Sequence, residues 1–285
     1  MVKARRDGAG PGLRRGREQF SAVKHPILFL AANPTGMDRL ALDREASAIQ
    51  DELERASCRD SFEFVMRWAA EPIDLLREVR KVKPTVVHFS GHGTRRGAGA
   101  RKTRVSRRDV VFASDVADED SLCFQESDGR PCLVSASALR ETFAATGASV
   151  RLVVLNACTS DTHTRALLTH VDCVVGVRGS IADDAGRHFA RGFYGGLAER
   201  ASIAAAFQQG RAAIRLAGLR DHGRLQLQAR NGVDASQLVL ASLHQPWSVC
   251  RSRASWRSML LPGVDARGSP RIARDEETVP RRRRS

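Results

Sequence analysis

Two residues have the type and setting for acyl-transfer chemistry. His92 follows the apolar run Thr85-Val86-Val87-His88-Phe89 and stands between Gly91 and Gly93. Cys158 lies in the small-residue stretch Asn156-Ala157-Cys158-Thr159-Ser160, after the run Arg151-Leu152-Val153-Val154-Leu155. A thiolate attacks a carbonyl carbon readily, an imidazole can shuttle the proton, and backbone N–H groups can hold the oxyanion. Glycine beside the histidine lets the chain turn sharply and leaves room for a substrate carbonyl next to a main-chain N–H. If the two runs are neighbouring strands, both residues emerge at one edge of a sheet and face each other across a shallow cleft. Either residue alone is a weak signal. A lone cysteine after a strand is most often a packed thiol, and a lone loop histidine most often a surface or capping residue.

The elements that must position this pair can be read along the chain. Ile27-Leu28-Phe29-Leu30-Ala31-Ala32 is a continuous apolar run ended by the turn signal Asn33-Pro34-Thr35-Gly36, which fits a strand buried on both faces. Leu42, Ala46, Ile49 and Leu53 recur at helical spacing over residues 42–56. Residues 62–68 alternate as a strand, and Pro72 opens a helix to Lys81. A hairpin is expected at Leu122-Cys123-Phe124 and Cys132-Leu133-Val134, around Ser127-Asp128-Gly129. Helices follow over 137–146, 165–170, 183–200 and 202–219, and strands over 151–155 and 171–177. Gln237-Leu238-Val239-Leu240-Ala241 reads as a closing strand. Alternating strands and helices imply an α/β three-layer sandwich, a mostly parallel sheet flanked by helices. In such sheets the chemistry sits at the carboxyl ends of the strands.

Composition bounds the alternatives. The chain has 285 residues with 42% apolar content, enough for one sizeable domain. Its formal charge of +14 is concentrated in residues 1–24 (+5), 94–109 (+6) and 250–285 (+6), which leaves the remainder at −3. Residues 1–24 and 246–285 read as basic disordered tails around a domain at 25–245, and residues 94–120 as a long basic loop within it. Such arms could touch nucleic acid or an acidic partner. Aromatic residues among the arginines of the tails are few, Phe20, Trp247 and Trp256, fewer than a base-stacking surface requires, so solvated tails are preferred. Neither a GxxxxGK[ST] loop nor a strand-following GxGxxG is present, which argues against a nucleotide-binding enzyme. The cysteines Cys58, Cys123, Cys132, Cys158, Cys173 and Cys250 are scattered without zinc-ligand spacing, so no metal and no cofactor are expected. No apolar run is long enough to span a membrane and the start lacks a secretory signal, so a cytoplasmic location is expected.

The ordered set of motifs adds more than spacing can. Ile27-Leu28-Phe29-Leu30-Ala31-Ala32-Asn33-Pro34, His88-Phe89-Ser90-Gly91-His92-Gly93 and Val153-Val154-Leu155-Asn156-Ala157-Cys158 resemble a CHAT-type peptidase domain. So do Val174-Val175-Gly176-Val177, Ile181-Ala182-Asp183, Phe189, Phe193-Tyr194 and Ala205-Ala206-Phe207. CHAT domains are a branch of the caspase, gingipain and separase superfamily, and the resemblance covers roughly residues 25–245. It implies a caspase-like sheet, with His92 as base and Cys158 as nucleophile. The backbone N–H groups of Gly93 and Cys158 would form the oxyanion hole, a carbonyl could orient the imidazole, and His88 would be structural. An acidic residue would shape the S1 pocket, with Asp183 and Asp161 as candidates for selecting a basic P1 residue. Both also fit the first turn of a helix. The implied activity is a cysteine endopeptidase acting on a protein substrate under a protein activator, in regulated bacterial proteolysis or antiviral defence. The alternative is a catalytically silent module of the same fold that binds a partner. The basic stretch 94–120 exceeds the family pattern and could gate the site or be cut by the enzyme itself.

Overall fold

The structure, a computed structural model, describes residues 24–94, 111–112, 120–146 and 149–241. The expected tails and most of the basic stretch 94–120 lie outside these residues.

The central strand β1 (His25–Ala31) is the apolar run itself, with Ile27, Leu28 and Phe29 fully buried. It is flanked on both sides by parallel partners, β2 (Phe62–Trp68) and β3 (Val86–Ser90). Burial on both faces is why the run shows no polar alternation. Beyond β3 lie β8 (Leu152–Asn156) and β9 (Cys173–Val177), also parallel, and then β10 (Leu225–Ala229), which is antiparallel. The six-stranded order is β10-β9-β8-β3-β1-β2.

Helices cover both faces. Helices α1 (Leu42–Arg55), α5 (Asp183–Ala198) and α6 (Ile203–Leu216) pack on one apolar cluster with Phe29, Val154 and Val175. Helices α2 (Pro72–Val82) and α3 (Ala136–Thr146), with the short α4 (Asp161–Leu167), pack on the other with Leu28, Val87 and Val153. Pro72 occupies the first turn of α2, and the Glu71 N–H donates to Asp74 at 3.0 Å, so the start expected from sequence carries its cap.

A second sheet stands over the first. The hairpin expected from sequence is β6 (Ser121–Gln125) and β7 (Pro131–Ser135), turning through Gly129 at φ +83°. β4 (His92–Thr94) pairs antiparallel with β6, and β5 (Val111–Phe112) lies parallel to β7. Phe124 on β6 meets Phe89 on β3 with ring centroids 4.7 Å apart, tying the sheets together.

Two expectations need correction. Residues 237–241 do not form a strand beyond one bridge, Ser202 to Val239. Leu238 and Leu240 are buried because the segment covers the start of α6, where Ile203 N–H donates to the Leu238 carbonyl at 2.9 Å. Among the described residues the last strand is instead β10, whose Leu-Gln-Leu-Gln-Ala alternation suits a sheet edge. The helix expected over 165–170 begins earlier, at Asp161.

Candidate active site

β3 and β8 are parallel neighbours, with Ser90 opposite Asn156. Each chain then runs two residues further, to His92 and to Cys158. The Gly91 N–H donates to the Asn156 carbonyl at 3.3 Å and extends the register past the strand ends. Neighbouring strands lie roughly 5 Å apart, so both residues leave the sheet side by side. Gly93 is packed against the Cys158 backbone: a Cβ on it would overlap the Cys158 carbonyl oxygen and stand 3.3 Å from its nitrogen. His92 and Cys158 are both half-buried. Among the described residues, no acceptor pairs with the Cys158 N–H.

The Cys158 turn is held from below. Ser160 is fully buried; its hydroxyl donates to the Leu155 carbonyl at 3.3 Å and accepts from the Val177 N–H at 2.8 Å. The Ser160 and Thr159 N–H groups donate to the carbonyls of Val177 and Gly179 at 3.0 and 2.8 Å. Thr159 thereby adopts φ +54°, a left-handed conformation that costs a β-branched residue about 1–3 kcal/mol and persists only where surroundings enforce it.

The imidazole is held from the side. His92 Nε2 lies 2.7 Å from the carbonyl oxygen of Asp38, in the loop after β1. With the proton on Nε2 this is a donated hydrogen bond, and the Nδ1 lone pair is left as the base. The loop is fixed at both ends. Asn33 donates through Nδ2 to the Leu40 carbonyl at 3.0 Å and accepts the Leu40 N–H at 3.3 Å. The Ala41 N–H donates to Asp183 Oδ2 at 3.1 Å. In between, the Thr35 N–H donates to the Gly129 carbonyl at 2.9 Å. Met37 rests on the buried Cys123 thiol, which sits opposite His92 across β4 and β6. Burial pushes the Cys123 thiol up to about 12, so it stays protonated under its neighbour. A hollow of about 390 Å³ shares Asn33, Arg39 and Leu40 with this loop and is further lined by Trp68 and Gln125.

The structure brings His92, Gly93 and Cys158 together. Asp183 opens α5, half-buried, with one carboxylate oxygen on the Ala41 N–H. Asp161 opens α4, half-buried, three residues after Cys158. No Lys or Arg pairs with either among the described residues. His88 is 1% exposed, stacked on Phe29 with Nδ1 2.9 Å from the Tyr194 hydroxyl. Among the described residues no group of His, Cys, Asp or Glu is arranged to hold a metal ion, and no helix is long and apolar enough to cross a membrane.

Sequence reasoning expected that a carbonyl could orient the imidazole but not which one, and it missed Glu45. The Asp38 carbonyl is a backbone group, and residue type carries no signal for it. Glu45 is 2% exposed, although it carries a charge. It stands on the same helical face as Leu42, Ala46 and Ile49, and a carboxylate on an apolar stripe is a readable signal.

The family model of the CHAT domain matches residues 11–248. A Roc-COR-CHAT protease from an unknown prokaryotic organism is 24% identical over 190 residues, which is 66% of this chain and 16% of that protein. The chain therefore spans about a sixth of that relative's length. A secreted C11 cysteine protease from Bacteroides thetaiotaomicron, solved with an irreversible peptide inhibitor, superposes with a TM-score of 0.46 at 11% identity, covering 72% of this chain and 66% of that one. With the family model spanning most of its length, the chain belongs to the CHAT domain family.

Proposed function

We propose that His92 and Cys158 hydrolyse peptide bonds in a protein substrate, with selection for a basic P1 residue. The observation that carries the reading is the pairing of the two loops: Ser90 opposite Asn156, with Gly93 seated on the Cys158 backbone. His92 Nδ1 takes the Cys158 proton and the thiolate adds to the scissile carbonyl carbon. The oxyanion is met by the N–H groups of Gly93 and Cys158. The C–N bond then breaks as the imidazolium protonates the leaving amine. Water, deprotonated by His92, releases the acid from the thioester and restores the thiol. No third acid is needed, because the Asp38 carbonyl orients the ring.

For P1, the reading rests on Asp183 and Asp161, two half-buried carboxylates without a cationic partner among the described residues. Asp183 already uses one oxygen on Ala41, which leaves the other for a guanidinium or ammonium. The scattered free thiols fit a reducing compartment, so the proposed location is the cytoplasm. Regulated bacterial proteolysis, including antiviral defence under a protein activator, is the proposed setting.

The test is a fluorogenic panel with Arg, Lys, Asp and Leu at P1, read for the wild type, Cys158→Ala and His92→Ala. Cleavage after Arg or Lys that vanishes in both variants is expected. Preference for an acidic or apolar P1 would overturn the basic assignment. Turnover that persists in Cys158→Ala would overturn the dyad.

A further inference from the structure

The buried carboxylate of Glu45 binds both strands that end in the proposed dyad. Its Oε2 accepts from Ser90 Oγ at 2.5 Å, and its Oε1 accepts from Asn156 Nδ2 at 2.8 Å. Ser90 is the last residue of β3 and Asn156 the last of β8, so one side chain clasps the two strand ends two residues before His92 and Cys158. His88 Nε2 lies 3.2 Å from Oε1, close enough for electrostatic contact but out of line for a hydrogen bond. The other nitrogen of His88 meets the hydroxyl of Tyr194 on α5. Burial, with the nearby Glu45 charge, keeps Tyr194 protonated and its pKa well above the ordinary range.

A charge this deep is expensive unless each oxygen is satisfied. Apolar residues would serve a merely structural α1–sheet contact at less cost. What an apolar side chain cannot do is fix the register of two strand ends at once. We propose that Glu45 is a positioning residue: acting through Ser90 and Asn156, it holds the His92 and Cys158 loops in mutual register. The inference rests on the proposed dyad. Asn156 is placed in turn by Gly186 of α5, where a Cβ would stand 2.6 Å from Asn156 Nδ2 and 2.7 Å from Oδ1. A methyl group there must push the amide off Glu45.

Gly186→Ala displaces the Asn156 amide while leaving the Glu45 carboxylate in place; alanine's helix preference offsets part of the overpacking cost, and the melting temperature reads what remains. The set is the wild type, Gly186→Ala, Glu45→Ala, Glu45→Gln and, as a control in the same helix, Gly195→Ala, whose Cβ would meet only Glu52. The readouts are kcat, KM, melting temperature and hydrogen exchange of peptides covering 91–94 and 157–160. Gly186→Ala and Glu45→Ala should lower kcat at least about tenfold with KM little changed, and speed exchange at both loops while Gly195→Ala does neither. Glu45→Gln should retain most of the activity, since its carbonyl can accept from Ser90 while its amide donates to a rotated Asn156. Unchanged kcat and unchanged loop exchange in Gly186→Ala and Glu45→Ala would overturn the proposal. So would a loss in Glu45→Gln as large as in Glu45→Ala. Absence of wild-type turnover on every substrate would count against the peptidase reading alone, and loop exchange would still decide the role of Glu45.

Discussion

Gly93 stands so near Cys158 that any side chain on it would collide with the Cys158 carbonyl. The contact joins the two segments beyond the point where β3 and β8 stop pairing. Gly93→Ala should force them apart. Overpacking of this kind costs about 1–3 kcal/mol, which corresponds to roughly 5- to 150-fold in kcat/KM if the strain falls on the site. Steady-state kinetics against the wild type checks this, and an active Gly93→Ala would place the strain elsewhere.

Ser160 supports the Cys158 turn through two buried hydrogen bonds. Ser160→Ala leaves the Val177 N–H without its acceptor, which costs about 1–3 kcal/mol. Denaturant unfolding should show that loss, and kcat should fall with it because the turn that carries Cys158 loses its side-chain support.

Asn33 closes the loop that brings the Asp38 carbonyl to His92. Asn33→Ala removes both bonds to Leu40. The expected result is a fall in kcat at nearly unchanged KM, with the ring no longer oriented; Asn33→Asp, which can still accept the Leu40 N–H, should lie between. Equal activity in all three would remove the loop from the account.

The buried thiols give a pH prediction. Burial raises Cys123 and Cys132 to about 12 and Cys173 to about 11, against an ordinary 9.0. In the unfolded chain these thiols ionise first, so the native state holds more protons and stability falls as pH rises from about 9 towards 11–12. Below pH 9 that contribution is fully present. Unfolding midpoints across pH 8 to 11 should therefore decline, and less steeply in Cys123→Ala/Cys132→Ala. At neutral pH in the native state, iodoacetamide should modify Cys158 and spare these three.

Much of this was legible in the chain, for reasons that differ by element. β1, β3, β8 and β9 announce themselves as apolar runs because both their faces are buried. His92 and Cys158 were findable because each follows such a run. β4 was not: His92-Gly93-Thr94 is three residues long, and only β6 makes it a strand. β10 was overlooked because its glutamines dilute the apolar signal at a sheet edge, while Leu238 and Leu240 imitate a strand by packing over α6. Asp183 was legible as a helix-start acid, but its bond to Ala41 needed the fold.

The central claim is that His92 activates Cys158. The most direct measurement is covalent labelling by an arginyl acyloxymethyl ketone, followed by peptide mapping, in the wild type and His92→Ala. The account predicts one adduct, on Cys158, formed much more slowly in His92→Ala. An adduct on another cysteine, or equal rates in the two proteins, would contradict it.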